Sequence, residues 1–281
     1  MRKKRSLMLS IIIAVLLSVS GIRSYFSSSV PDAPFTVHFI DVGQADAALI
    51  LCEGASMLID GGNREDSDLI ATYLDKQNID YLDYVVCSHA HEDHVGGLSG
   101  ALATTRAGEV FAPETGADTK VYRNFETKVK EQGLSLQHPH PGDTRLLGSA
   151  RIEFLGPVFE KTEELNDTSI VLKITYGETA FLFTGDAERE SELSILDTGA
   201  DVSADVLKVG HHGSSSSTSY PFLREVSPSV AIISAGKNND YGHPHKEVIS
   251  RLSDAEAEIY RTDENGDIIV TSDGTAVTVY A

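Results

Sequence analysis

The stretch Val85-Val86-Cys87-Ser88-His89-Ala90-His91-Glu92-Asp93-His94-Val95-Gly96-Gly97 constrains this chain more than any other. An apolar, β-type run ends abruptly, delivers three imidazoles and a carboxylate within six residues, and enters a Gly-Gly turn. Ligand-type side chains packed so densely at the end of a buried strand predict a loop folded around metal rather than a solvated histidine patch. In extended backbone His89 and His91 point to the same side and are expected to hold one ion. Asp93 and His94, at the turn, are expected to hold a second ion close by.

A two-ion centre needs further ligands, and the sequence offers them at equivalent places, just after apolar runs. Thr184-Gly185-Asp186 follows Phe181-Leu182-Phe183 and supplies a carboxylate able to bridge two ions. Gly210-His211-His212-Gly213 follows Val206-Leu207-Lys208-Val209. At least one of His211 and His212 is expected to reach metal and the other to position substrate. Asp60 closes the run Ser56 to Ile59 before Gly61-Gly62 and is expected to orient a ligand imidazole from behind; Asp41 is given the same supporting role. His243, in a Gly-His-Pro turn, is expected to hydrogen-bond a phosphate oxygen or protonate a leaving group, so Asp93, His212 and His243 are the candidate catalytic residues. Ser214 to Ser217 and Thr218 offer hydroxyls for a substrate oxygen. Imidazole and carboxylate without thiolate suit zinc, manganese or iron, and the expected cofactor is a pair of divalent ions, Zn2+ or Mn2+. Hydrolysis is the natural reaction, because such a pair acidifies a bridging water and stabilises the attacking and leaving oxygens of a phosphoryl group.

The N-terminus bears on compartment. Arg2, Lys3, Lys4 and Arg5 precede an apolar run from Leu7 to Ile22, followed by a Ser- and Pro-containing linker to Pro34. This reads as a signal sequence or N-terminal anchor over residues 1–34, engaging the membrane or the export machinery. The remaining domain, 35–281, is expected outside the cytoplasmic membrane, secreted or held at its outer face. With 23 Lys+Arg against 42 Asp+Glu the net charge is -19, which argues against electrostatic attraction to nucleic acid as the main source of binding. A local basic rim at Lys208, Lys237 and Arg261 is the expected exception. Cys52 and Cys87 are too few for a disulfide framework, leaving one bridge open. No protein partner is implied.

Short β-type runs dominate from Phe35 onward. Phe35 to Ile40, Ala47 to Leu51 and Ser56 to Ile59 suggest a meander. Asp66 to Gln77 carries Leu69, Ile70, Tyr73 and Leu74 at helical spacing, and a second helix is expected over Lys246 to Ser253. Further strands are expected near Tyr84 to Cys87, Arg151 to Leu155, Ser169 to Tyr176, Thr179 to Phe183, Val206 to Val209 and Ala231 to Ser234, with a hairpin pair in Ile259 to Tyr280 around Asp273-Gly274. Mixed strands and interspersed helices in two similar halves predict an α/β protein of two sheets packed face to face with helices outside.

The ordered set Asp60, His89-x-His91-x-Asp93-His94, Asp186 and His211-His212 resembles the metallo-β-lactamase superfamily, which implies an αββα sandwich of two mixed β-sheets with a binuclear metal site at one edge. More narrowly, the chain from Phe35 to its end is similar to the extracellular metallo-hydrolase domain of ComEC-type competence proteins. The segments Asp41-Val42-Gly43-Gln44-Ala45-Asp46, Gly210-His211-His212-Gly213-Ser214 and Asn239-x-Tyr241-Gly242-His243-Pro244 carry that likeness. Ala45 stands where the group usually has Gly. Where many superfamily members carry another histidine ligand, this chain reads Glu164-Leu165-Asn166-Asp167-Thr168-Ser169, so Asn166 or Asp167 is a candidate oxygen donor. The resemblance implies a phosphodiesterase, and a nuclease acting on DNA if it extends to substrate. The alternatives are a cell-surface phosphodiesterase acting on teichoic acid and a non-catalytic metal-binding module. With a single apolar run, the sequence is not expected to form an uptake channel by itself.

Overall fold

All five residues of Phe35–Phe39 are buried, and a strand with no solvated face needs a layer on each side. The computed structural model describes residues 33–158 and 164–281 and supplies those layers. One sheet contains β1 (Phe35–Phe39), β2 (Ala48–Cys52), β3 (Ala55–Ile59), β4 (Tyr81–Val86), β5 (Arg106–Phe111) and β6 (Leu136–Gln137), extended beyond β1 by β14 (Ile268–Ser272) and β15 (Val277–Tyr280). The other runs β13 (Glu258–Arg261), β12 (Val230–Ile233), β11 (Val206–Lys208), β10 (Thr179–Phe183), β9 (Leu172–Tyr176), β8 (Ala150–Phe154), β7 (Thr144–Leu147). Both sheets are mixed, antiparallel in one part and parallel in the other.

The sheets meet through aromatic side chains. Phe35 lies 4.9 Å from Phe181, Phe39 5.9 Å from Phe183 and Phe111 5.1 Å from Phe154, ring centre to ring centre. The outer faces are covered by helices: Ser67–Lys76, Leu98–Thr104 and Lys120–Glu131 over the first sheet, and Arg189–Asp197, Tyr220–Val226 and Lys246–Asp254 over the second. Four layers, αββα, result, as the sequence predicts. In Ser67–Lys76 the buried stripe is Ile70 and Leu74, while Leu69 remains exposed.

The meander is formed by β1, β2 and β3, paired antiparallel in succession. At the C-terminus the hairpin expected around Asp273-Gly274 is present, formed by β14 and β15 in the first sheet, but its expected start at Ile259 needs correction: β13 pairs parallel with β12 in the second sheet. A short helix, Thr262–Asn265, carries the chain between the sheets. Cys52 and Cys87 are both buried free thiols, so no bridge forms. The N-terminal segment read as signal or anchor falls, apart from Ala33 and Pro34, outside the described residues. No described helix is long and apolar enough to cross a membrane.

What places the site is strand direction. Strands β3 and β4 run parallel in one sheet and β10, β11 and β12 in the other. Their C-terminal ends lead into Asp60, His89, Asp186, His211 and Ser234 at one edge of the sandwich. The backbones there touch. A Cβ on Gly97 would stand 1.9 Å from the Gly61 carbonyl oxygen, and Gly61 N–H donates to His94 O at 2.8 Å. Gly97→Ala is therefore expected to lower stability by about 1–3 kcal/mol through overpacking, measured by denaturant unfolding, and to weaken metal binding in parallel.

Candidate metal centre

Asp186, 2% exposed, leaves β10 through Gly185, whose φ of +51° is readily adopted only without a side chain. Its carboxylate is surrounded by imidazoles. Oδ1 lies 3.2 Å from His94 Nε2, and Oδ2 lies 3.9 Å from His89 Nε2 and 3.7 Å from both His211 Nε2 and His212 Nε2. His91 completes the loop side, its Nδ1 2.9 Å from His89 Nε2. Asp93 Oδ2 lies 3.2 Å from His212 Nε2. Among the described residues three groups have their candidate ligand atoms within 4.8 Å of one another: His89 with His94 and Asp186, Asp93 with His94 and His212, and Asp46 with Asp60 and His94. His94 is common to all three groups, and Asp186 faces His89, His94, His211 and His212, so the residues expected at the two ion sites stand side by side in the metal-free chain.

Local backbone explains how neighbouring histidines converge. His211 and His212 both adopt left-handed conformations, φ +50° and +52°, between Gly210 and Gly213. Such geometry costs about 1–3 kcal/mol per residue and aims both rings at Asp186. Both therefore reach the centre, where the sequence had assigned one of them to substrate. Of the Ser214 to Thr218 hydroxyls, two are engaged within the protein around His211. Ser217 Oγ donates to Gly210 O at 2.7 Å and Ser216 Oγ lies 3.3 Å from His211 Nδ1. Buried Glu192 accepts the Thr218 and Ser219 N–H groups, and Arg251 donates to Ser217 O, clamping this loop from outside.

Carboxylates behind the rings set their orientation. Asp60 accepts from Ser88 N–H and Ser88 Oγ–H, both at 2.7 Å, and its Oδ2 lies 2.8 Å from His94 Nδ1, leaving Nε2 for the centre. Asp41 does not share this role. It is exposed, its Oδ1 accepts from Gly43 N–H at 3.1 Å and its own N–H donates to Asp267 at 2.8 Å. The turn through Gly43, φ +69°, directs Asp46 inward instead. Asp46 Oδ1 stands 3.3 Å from His212 Nδ1, which also contacts Ser234 O at 3.1 Å. Asp46 is the supporting residue that sequence reasoning left unassigned; its place in the Asp41 to Asp46 segment was the available signal. Glu188 was missed too: its Oε1 lies 3.2 Å from His211 Nδ1 and accepts from Asn166 Nδ2 at 3.1 Å. Asn166 lines the same cleft, whereas Asp167 turns away to accept from Glu188 N–H.

The expected basic rim is largely spent. Lys208 is buried and pairs with Asp46 at 2.7 Å, and Arg261 pairs with Asp263 and Glu264.

A cation fits this donor set. His94 Nε2, Asp186 Oδ1 and His212 Nε2 are buried without a hydrogen bond, although they crowd one another. Acceptors left so cost about 1–3 kcal/mol each, which a divalent ion among them would remove. In the metal-free chain protons compensate in part. Burial opposes charge on His212, but Asp186 and Asp46 outweigh it and raise its pKa to about 10. His94 is held well above the usual histidine range, again against burial, by Asp186, Asp60 and Asp93. Burial raises the carboxyl of Asp93, yet His94 and His212 bring it down to about 2. His243 goes the other way: burial, then the charges on His212, His245 and His211, lower it to about 4. It is neutral at physiological pH, so it serves as a hydrogen-bonding group rather than a ready proton donor to a leaving group. Its Nδ1 lies 3.3 Å from Gln44 Nε2.

The sequence itself matches the model of the metallo-β-lactamase superfamily over residues 40–237. The chain belongs to the metallo-β-lactamase superfamily, whose members bind divalent metals and are typically metal-dependent hydrolases. It is 30% identical over 250 residues to ComE operon protein 3 of Bacillus subtilis, covering 83% of this chain and 32% of that protein. It is 33% identical over 243 residues to Recombination protein 2 of Haemophilus influenzae, covering 83% of this chain and 28% of that one. The chain thus spans about a third of the length of the curated relatives it matches. Among solved structures, the metallo-β-lactamase fold protein YhfI of Bacillus subtilis superposes with a TM-score of 0.55 at 15% identity, over 88% of this chain and 100% of that one, a likeness of fold alone.

Removing the orienting carboxylate in Asp60→Asn is expected to weaken metal affinity roughly 10–100-fold, and Asp186→Ala to lower the bound metal stoichiometry, both read by calorimetry and elemental analysis. In the folded metal-free chain the His212 pKa is raised to about 10 from the ordinary histidine value of 6.5. Its proton therefore stabilises the metal-free protein fully below pH 6.5, and that contribution is lost as pH rises through 10. The melting temperature of metal-free protein should fall across this window, less steeply in Asp186→Asn, and metal loading should flatten the profile.

Proposed function

We propose that this chain is an exported, metal-dependent phosphodiesterase acting on DNA. The observation that carries the reading is Asp186, buried at the floor of an open cleft of about 300 Å3 with four imidazole nitrogens within 3.9 Å. His89, His91, His94, His211 and His212 would hold two ions, with Asp186 shared between them and Asp93 at the side of His212. Divalent ions in such a site supply Lewis acidity toward phosphoryl oxygens and acidify water near neutral pH.

The chain's own residues do the rest. Asp60 and Asp46 fix the His94 and His212 rings, so that each presents Nε2 inward. Asp93, ionised and lining the cleft, accepts a hydrogen bond from the attacking water and orients it. His243, neutral and lining the same cleft, hydrogen-bonds a phosphoryl oxygen. Similarity to two proteins named for the competence operon and for recombination supports DNA as the substrate. The basic N-terminal cluster and apolar run support export.

Purified protein supplied with zinc or manganese is expected to hydrolyse bis-p-nitrophenyl phosphate and single-stranded DNA. Asp93→Ala and Asp186→Ala should each lose at least about a hundredfold in kcat/KM, the scale of removing a positioned catalytic group. Turnover that survives both variants, or protein that binds no metal, would leave a binding module. Turnover of a teichoic acid phosphodiester with DNA untouched would move the substrate to the cell wall.

A further inference from the structure

Electrostatics leaves a gap in the nuclease reading. A phosphodiester polymer is usually gripped by lysines and arginines, yet this chain carries a net charge of -19. Lys208 and Arg261 are already committed to Asp46, Asp263 and Glu264. Of the rim only Lys237 is exposed, so contacts that do not depend on charge would have to supplement the metal ions and this lysine in holding a strand.

One such contact borders the metal cleft. Tyr241 is 70% exposed, the most exposed large apolar side chain among the described residues, and it lines the same cleft as Asp186 and His212. Its backbone is pinned. Tyr241 N–H and His243 N–H both donate to Asn239 Oδ1, at 3.1 and 3.0 Å, and Asn239 Nδ2 donates to His243 O and Gly236 O. The ring stacks on His243, 5.6 Å centre to centre and 22° from parallel. With one face toward His243, the other face is open. A phenol ring held rigidly beside a phosphodiester-cleaving centre matches the π-face of a base, and only an unpaired base can present that face.

Building on the phosphodiesterase reading, we propose that Tyr241 is a stacking platform for an unpaired nucleobase next to the scissile phosphodiester. It sets a preference for single-stranded nucleic acid and supplies affinity that the acidic surface does not.

The test compares two single strands of equal length, one with bases and one abasic with the same phosphates, beside bis-p-nitrophenyl phosphate and a phosphocholine ester. Tyr241 is exposed, so its substitution leaves the buried core intact, and equal metal content in each variant verifies this. Stacking of one base predicts that wild-type protein favours the base-bearing strand about tenfold in kcat/KM. Tyr241→Phe should keep that ratio and Tyr241→Ala bring it close to one, mainly through KM. Equal rates on both strands in wild type, or a ratio that survives in Tyr241→Ala, would overturn the platform while leaving the nuclease intact. Cleavage of neither strand, with bis-p-nitrophenyl phosphate still hydrolysed, would remove the nuclease reading and this inference with it. Preference for the phosphocholine ester would assign the ring to a quaternary ammonium and overturn the inference as well.

Discussion

A buried carboxylate facing several imidazoles is the constraint around which this molecule is arranged. Asp186 is buried at the base of the cleft, and the nitrogens around it come from two loops, one off each sheet. Without a positive charge among these groups the arrangement is costly. Protons on His94 and His212 supply that charge in the metal-free chain, and a divalent ion would supply it better, since an ion satisfies several lone pairs that one proton cannot. Folding and loading are coupled for this reason.

Holding such a centre requires rigidity that no single loop has. The His89–His94 loop is pinned by contact between the Gly61 and Gly97 backbones and by Asp60 reaching Ser88 and His94. The His211–His212 turn carries two successive left-handed residues and is clamped by Glu192 and Arg251. Strain is tolerated because the surrounding sheets over-determine the position. The interlocked aromatic side chains between the sheets keep both halves of the ligand set in register.

The cleft above this floor is selective in its chemistry. Its walls offer a neutral imidazole, an amide and a phenol ring from His243, Gln44 and Tyr241, alongside carboxylates. None of the described residues that line it is a lysine or arginine, the residues that line the groove of a protein binding nucleic acid through charge. A site of this kind draws specificity from the metal centre and from shape and stacking.

The sequence alone determined the ligand chemistry and the layer plan. His89, His91, Asp93, His94, Asp186, His211 and His212 stand out because dense ligand-type residues follow buried apolar runs, a local pattern that needs no partner to be read. The β1 to β3 meander and the alternation of strand and helix were legible for the same reason. Tertiary structure decided what local pattern cannot encode. It chose Asp46 over Asp41, because the Gly43 turn sets which carboxylate faces inward. It placed β13 and β14 in opposite sheets, although they are neighbours in the chain. It buried Lys208 against Asp46, removing a cation that the sequence had placed on the surface. It also brought Glu188 and Asn166 to His211. Each of these outcomes depends on a contact between segments far apart in sequence, whose energy exists only once both sheets are packed.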